Sequence, residues 1–578
     1  MNALCSAHQH KEGRKVHMNE QLGHATILAR CCLLVLVAIA STALTAVTPA
    51  LAQSPAATDK LPPFRIDLHL PTDIVLNADQ GLGQCHWFDR SIVSQPYVTW
   101  AYDASTAISA WSTIEPIGGQ FDWSAMDGLI AKAESLNRKL WIELLTTEGQ
   151  TPEWARAAGV SIVGSRGGTP APWNETYQRL LRRAVHAMAE QYDQNPTVDA
   201  INLMAGGCYG EMTICNTPQD TSAWTQAGYT DERYIEAVKQ IIDIYLEDDY
   251  EWEDGTHSHG FRHKPVVLQL GGGLYGRTTK IINPVVEYAI GKYGMRVWLK
   301  YNGLGGGYDM GWLYEKYSHL TRVGYEPMGN SVEFLSKPEQ FMRLALDHHS
   351  SYLCLQGTYF NVADQRWRSA RELAARHLGA QIVHLGTKAS ETLTAGQNLT
   401  LTSEWVNRGT TPLFYGRRDG TQDIPASYQV QVVLVNPLTD AIVLENLFTP
   451  SPPTTQWHST QVITVTAEVP LPVSMFGGEF DLRIALVNPS RALDDPWRSF
   501  RLVNMEAPDD EGRYTIGKVR VEAAATPTPS ASATPEPTMA PLPTATPTPG
   551  PTSGLGSLLD ALRRILQGFG AWLRGLFR

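Results

Sequence analysis

Lys139-Leu140-Trp141-Ile142-Glu143-Leu144-Leu145 is a short, apolar, β-rich run that follows directly on the helical pattern Trp123–Ser135. A strand after an amphipathic helix is half of a repeating α/β unit, and the pattern continues in both directions. Strands are predicted at Ile74–Asn77, Val98–Tyr102, Lys139–Leu145 and Ala200–Met204, then at Val266–Leu270, Arg296–Tyr301, Thr321–Tyr325 and Tyr352–Gln356. Helical patterns separate them at Thr176–Gln191, Glu232–Leu246, Pro284–Tyr293, Gly311–Ser318, Pro338–His348 and Ser369–His377. Eight such strands within residues 61–379 predict a (β/α)8 TIM barrel. The alternative is an open doubly wound sheet, but no Gly-x-Gly-x-x-Gly turn follows the first strand to support it.

Downstream, over residues 380–523, helical periodicity gives way to alternating strands such as Leu399–Trp405, Tyr428–Val435, Thr460–Thr466 and Phe480–Leu486. Asn-, Gly- and Pro-rich turns between them predict an immunoglobulin-like β-sandwich, with an accessory or packing role. Residues 524–552 are rich in Thr, Pro, Ser and Ala, cannot bury a core, and are expected to form an extended spacer. In residues 553–578, Leu558, Leu559, Leu562, Ile565, Leu566, Phe569 and Trp572 recur at three- and four-residue steps, with Arg563, Arg564, Arg574 and Arg578 mostly on the other side. That is a basic amphipathic helix, suited to an anionic membrane surface or a partner groove. At the other end, residues 1–52 have the form of an export signal: a basic start, the apolar run from Cys31 to Val47, and a small-x-small ending at Ala50-Leu51-Ala52. An extracellular or cell-surface location is expected.

Composition narrows the function classes. The chain has 578 residues, 43% hydrophobic and 18% charged, enough apolar material for two or three domains. Lys+Arg number 47 against Asp+Glu 58, a net charge of -11, so no broad basic surface exists for a nucleic-acid partner. Sixteen Trp and 22 Tyr supply flat faces suited either to a core or to sugar rings. Three of the seven Cys fall in the export segment, and of the remainder Cys208 and Cys215 are close enough to staple one loop as a disulfide. His257, His259 and His263 sit in an acidic stretch that reads as a solvated loop, so no metal is assigned. No phosphate-loop ending and no Gly-x-Ser-x-Gly elbow are present.

In a TIM barrel the reactive side chains sit at the C-terminal ends of strands, and carboxylates gather there. Asp103 follows strand two, Glu143 lies in strand three, Glu211 follows strand four through Gly206-Gly207-Cys208-Tyr209-Gly210, and Tyr325-Glu326-Pro327 ends strand seven. Two carboxylates facing each other across a barrel mouth can protonate a leaving oxygen and attack, or activate water against, an anomeric carbon. Around them, Trp87, Trp154, Trp173, Tyr209, Tyr301 and Tyr359 are candidate sugar platforms, Asp103, Gln269 and Asn302 candidate partners for sugar hydroxyls, and Glu143 and Tyr325 further substrate-binding candidates. Glu115, in an Ile-Glu-Pro turn, is expected to tie a loop to the barrel.

The stretch Trp111-Ser112-Thr113-Ile114-Glu115-Pro116-Ile117-Gly118-Gly119-Gln120-Phe121-Asp122-Trp123, continuing through Met126-Asp127 to Lys139-Leu140-Trp141-Ile142-Glu143-Leu144, resembles the early barrel segment of family 42 glycoside hydrolases of the β-galactosidase type. Pro152-Glu153-Trp154 is similar to the Pro-x-Trp of those enzymes. Their clan carries its acid and nucleophile as glutamates on strands four and seven, which implies Glu211 as acid/base and Glu326 as nucleophile. The clan places Asn-Glu directly at the end of strand four, whereas this strand ends Ile201-Asn202-Leu203-Met204 with Glu211 several residues later. The Gly206–Glu211 loop instead resembles the one that carries the acid glutamate in β-amylases, which invert configuration, so retention and inversion both stay open. The expected function is an exported glycoside hydrolase acting on an oligo- or polysaccharide without a cofactor. Its rival is a carbohydrate-binding or adhesion protein that keeps the barrel and has lost catalysis.

Overall fold

The computed structural model describes residues 64–66, 70, 73–74, 83–87 and 98–102, and residues 108–525 except 137, 166, 205, 215–217, 272–277, 305–309, 328–335, 356–363, 420–421, 494, 496–497 and 506. The export segment 1–52, the terminal helix 553–578 and all but residues 524 and 525 of the spacer lie outside the described residues.

Eight strands close into a barrel: β1 Gly83–Trp87, β2 Val98–Tyr102, β3 Lys139–Glu143, β4 Val198–Leu203, β5 Val266–Leu270, β6 Val297–Leu304, β7 Val323–Pro327 and β8 Tyr352–Leu355. Each pairs in parallel with its sequence neighbours, and β1 closes the ring on β8. Helices such as Glu175–Tyr192, Asp231–Leu246 and Thr278–Tyr293 make the return connections. The first of these starts on Asn174, whose side chain accepts from the Tyr177 amide, and the second on Thr230, which accepts from Arg233, so both starts are capped.

One strand falls elsewhere than predicted. Ile74 is not in a strand, and the ring starts instead with Gly83-Gln84-Cys85-His86-Trp87. That run has neither an apolar stretch nor β-branched residues, so its pairing comes from the barrel's closure and not from local preference.

Strand residues alternate between two faces. One set, including Leu140, Ile142, Ile201, Leu203, Leu268 and Leu299, packs outward against the helices in the main core. The other forms a separate cluster inside the ring, Trp141, Ala200, Val267, Trp298, Tyr352 and Cys354, with the Trp141 and Tyr352 ring centroids 5.1 Å apart and edge-on. Two residues further along the same strands, toward their C-terminal ends, stand Glu143, Asn202, Gln269 and Lys300. An aromatic floor thus lies beneath a polar layer.

The all-β part pairs Ile382–Ala389, Asn398–Asn407 and Val462–Pro470 in one sheet, and Gln429–Val435, Ile442–Phe448, Gly478–Val487 and Tyr514–Glu522 among the strands of another. Trp405, Trp457, Val432, Leu482 and Phe480 fill the core between them. It meets the barrel on the face where strands begin. Arg322, just before β7, is fully buried, donates to the Phe414 carbonyl at 2.6 Å and lies 4.1 Å over the Phe414 ring. His349, before β8, bonds the Thr410 carbonyl at 3.0 Å, and the Met295 amide donates to the Asp423 carbonyl at 2.8 Å. The opposite face, where strands end, is where Glu143 and Glu326 stand on their strands and the Glu211 loop begins.

Candidate active site

Strands β6 and β7 run further than their sequence suggests, and this brings the site together. Asn302 and Glu326 lie inside the strands and opposite one another in register. Glu326 is buried and its Oε2 accepts from the Lys300 ammonium at 2.7 Å, with the Lys300 side chain wholly enclosed. A buried carboxylate and ammonium at that separation compensate each other's loss of hydration.

Glu211 reaches the same place from a loop. The chain leaves β4 and passes through Gly206 and Gly207 to a short turn at Cys208–Gly210. A side chain at Gly207 would run into the Glu211 and Thr213 carbonyls at 2.1 and 2.3 Å, and Gly210 holds a φ of +77° against Met204. Glycine is required at both positions. The Cys208 amide then bonds the Thr213 carbonyl at 2.7 Å, and the Met212 amide bonds the Gln269 carbonyl at 3.0 Å, which pins the loop to β5. Cys208 is disulfide-bonded; Cys215 lies outside the described residues.

So held, Glu211 Oε1 accepts from Asn302 Nδ2 at 2.8 Å, and the same amide group reaches Gln269 Oε1 at 3.2 Å. Burial pushes the Glu211 carboxyl up to about 8; the Asn302 hydrogen bond and the Lys300 charge pull it down, and the charges of Glu326 and Glu148 push it further up. Asn302 therefore touches Glu211 while sitting opposite Glu326, and the Glu326 charge acts on the Glu211 carboxyl. Glu148, in the loop after β3, holds the left-handed backbone at φ 55°, a conformation uncommon outside glycine.

Of the residues singled out from sequence, Glu211, Glu326, Gln269 and Asn302 come together, and Glu143 stands buried in the same polar layer, opposite Asn202. Tyr209 is 48% exposed on the turn that precedes Glu211. Tyr301 and Tyr325 go elsewhere: the pleat turns both outward into the layer between barrel and helices. The Tyr301 amide donates to the Tyr314 hydroxyl at 2.9 Å, and Tyr325 packs on Tyr314 with centroids 4.6 Å apart and bonds His348 at 2.6 Å. Trp154 belongs to the Glu115 cluster, donating to the Glu115 carbonyl at 2.8 Å. Glu115 itself is buried, accepts from Trp111 Nε1 at 2.8 Å and the Gly119 amide at 2.6 Å, and pairs with Arg183, which is the loop-to-barrel tie. Asp103 and Tyr359 lie outside the described residues.

Lys300 and Asn202 were not singled out as site residues. Asn202 is fully buried in β4, and neither of its amide atoms bonds a described residue; the same is true of Gln269 Nε2 and Asn302 Oδ1. Buried polar groups are nearly always satisfied, so donors and acceptors gathered in the polar layer are suited to water or ligand hydroxyls. The available signal was a polar residue inside each apolar run, Ala-Ile-Asn-Leu and Trp-Leu-Lys-Tyr.

Residues 102–241 match the glycoside hydrolase family 42 model, described as beta-galactosidase. The match contains Trp111–Trp123 and Lys139–Leu144, on which the resemblance to that family rests, and also Glu211. Similar solved structures include the catalytic domain of beta-amylase from Paenibacillus polymyxa, 10% identical over 52% of this chain and 98% of that one, with a TM-score of 0.36. A psychrophilic glycoside hydrolase family 10 endo-beta-1,4-xylanase is 12% identical over 48% and 86% of the two chains, with a TM-score of 0.31. Beta-galactosidase from the psychrophilic Marinomonas ef1 is 12% identical over 52% and 59%, with a TM-score of 0.32. No curated protein matches.

Proposed function

We propose that this chain is a glycoside hydrolase that cleaves O-glycosidic bonds of an oligo- or polysaccharide, with Glu211 donating the proton and Glu326 acting as nucleophile or base. The family 42 match supports a glycoside hydrolase and a carbohydrate substrate. The observation that carries the two roles is the opposed setting of the carboxyls: Glu211 pushed up to about 8, so protonated at neutral pH, and Glu326 beside the Lys300 ammonium at 2.7 Å. Pairs of titratable groups held in different environments divide into acid and base. In the proposed reaction Glu211 protonates the departing glycosidic oxygen as the bond to the anomeric carbon breaks. Glu326 either attacks that carbon, to be displaced later by water, or takes a proton from the water that attacks it. Gln269, Asn302, Asn202 and Glu143 are placed to hold ring hydroxyls, and the exposed Tyr209 ring to stack on a sugar face.

The first test is incubation with aryl β-galactosides and a panel of oligosaccharides, reading reducing-end release and following the product anomer by proton NMR. Release with net retention assigns Glu326 as nucleophile, and release with inversion assigns it as base. Tight glycan binding with no release over a long incubation would sink the hydrolase proposal and favour a binding protein on a barrel scaffold.

The proposal extends to location: residues 1–52 direct export, and residues 553–578, carried on the spacer, dock to an anionic membrane surface or a partner groove. Deleting 553–578 is expected to abolish co-sedimentation with vesicles containing phosphatidylglycerol. Unchanged co-sedimentation would rule out the helix as the membrane contact, and no binding by the intact chain would leave the partner groove.

A further inference from the structure

Glu211, Gln269 and Asn302 form a closed circuit across the loop after β4 and strands β5 and β6. Glu211 is followed by Met212, whose amide donates to the Gln269 carbonyl at 3.0 Å. A side chain at Gly271 would meet Met212 and Thr213 at 2.9 and 2.7 Å, so the loop lies tight against the end of β5. Gln269 and Lys300 are opposite one another in register, which brings Gln269 and Asn302 to the same end of neighbouring strands. The circuit returns through side chains: Asn302 Nδ2 lies 3.2 Å from Gln269 Oε1 and 2.8 Å from Glu211 Oε1. Gln269 thus holds the loop of Glu211 by its backbone and the partner of Glu211 by its side chain.

A side-chain amide has two N–H donors and one acceptor oxygen. Both partners of Asn302 Nδ2 are oxygens, so its two hydrogens go to Glu211 and Gln269, while Asn302 Oδ1 and Gln269 Nε2 bond no described residue. That direction decides where the acid keeps its proton. The oxygen of a neutral carboxyl that accepts from an amide N–H is its carbonyl oxygen, so the Glu211 proton rests on the other one, Oε2. When the proton leaves, Glu211 becomes a carboxylate and the same hydrogen bond becomes charge-assisted and stronger. An interaction that strengthens as the proton departs lowers the barrier to its transfer. Burial disfavours this carboxylate most, and the Asn302 hydrogen bond counters it. Charges face it from three elements: Glu326 in β7 and Glu148 in the loop after β3 disfavour the carboxylate, and Lys300 in β6 favours it. Glu143 of β3 stands buried in the same layer.

We propose that Asn302 is a positioning residue for the acid: held by Gln269, it fixes the Glu211 proton on Oε2 and supports the carboxylate left behind when that proton moves to the departing glycosidic oxygen. This rests on Glu211 being the acid of the proposed hydrolase. With both amides turned half round, Glu211 would instead donate to the Asn302 oxygen, and the bond would favour the protonated form. The two arrangements differ in the direction in which loss of the Asn302 amide moves the titration of Glu211.

The test is Asn302→Leu in the full chain, which keeps the shape and removes the donor. The alkaline limb of kcat/KM, expected near pH 8 in wild type, should move up by about one pH unit, the size of a hydrogen bond to a charged group, while kcat falls about tenfold or more. A side chain that only supports the fold lowers activity without moving the limb. An unmoved limb, or one moved to lower pH, therefore overturns the proposal. A second readout needs no substrate. The margin by which Glu211→Gln melts above the chain that keeps Glu211 grows with pH and levels off once Glu211 has titrated in the native state; Asn302→Leu is expected to move that plateau to higher pH. A wild type without hydrolytic activity would sink the hydrolase reading, and the melting profile would still decide what Asn302 does to Glu211. Should Asn302→Leu fail to fold, infrared difference spectra of wild type against Glu211→Gln, taken well below pH 8, decide. A protonated carboxyl with a hydrogen-bonded C=O stretch is expected, and a free C=O stretch overturns the assignment.

Discussion

Glu211→Gln is expected to lower kcat by about 10²–10⁴-fold, the usual contribution of a positioned general acid, while leaving the fold intact. Glutamine keeps the shape and can still accept from Asn302 Nδ2, now 2.8 Å from Oε1, but has no proton to donate. The wild-type pH profile supplies a second signature. The acid must be protonated to act, so kcat/KM should fall as pH rises through about 8, and the residual activity of the variant should lack that descending limb. Stability is linked to the same proton. The carboxyl sits near 4.5 when unconstrained and near 8 in the folded chain, so between those values the unfolded state has lost a proton that the native state keeps. Native stability therefore falls as pH rises across that window, and Glu211→Gln, having no proton to lose, should melt above wild type at pH 8. Full retention of activity together with an unchanged alkaline limb would remove Glu211 as the acid.

The fold was legible wherever burial wrote a run into the chain. Val98–Tyr102 and Val266–Leu270 appear with the predicted bounds, because apolar residues between two helical periods have few other destinations. What the chain did not reveal was where strands end and which way they face. Asn302, Gly303, Glu326 and Pro327 look like terminators, yet β6 runs on to Leu304 and β7 to Pro327 because a closed ring supplies partners on both sides. A parallel strand buried on both faces has no hydrophobic alternation to reveal its inward residues. Tyr301 and Tyr325 could therefore be taken for substrate-binding residues when they pack against Tyr314, while Lys300, one residue from Tyr301, faces inward to Glu326. Glu211 was recoverable from the glycines around it. Its setting was not, since that comes from Asn302 and Lys300, some ninety residues away.

Lys300→Met should cost about 3–5 kcal/mol of stability, because it leaves the Glu326 carboxylate buried without the cation that compensates its desolvation. Denaturant unfolding measures this, and the variant should also lose catalytic rate, since Glu326 loses the ammonium, 2.7 Å from its Oε2, that holds it in place. Loss of rate alone would not separate a catalytic environment from a weakened fold. The double variant Lys300→Met, Glu326→Gln does so: with no charge left to strand, it should regain much of the stability lost by the single change, yet remain inactive. A stable but inactive double variant assigns the pair's charge to the reaction. If Lys300→Met melts with wild type and hydrolyses at the wild-type rate, the ion pair contributes neither to the fold nor to the chemistry, and Glu326 loses the setting on which its proposed role depends.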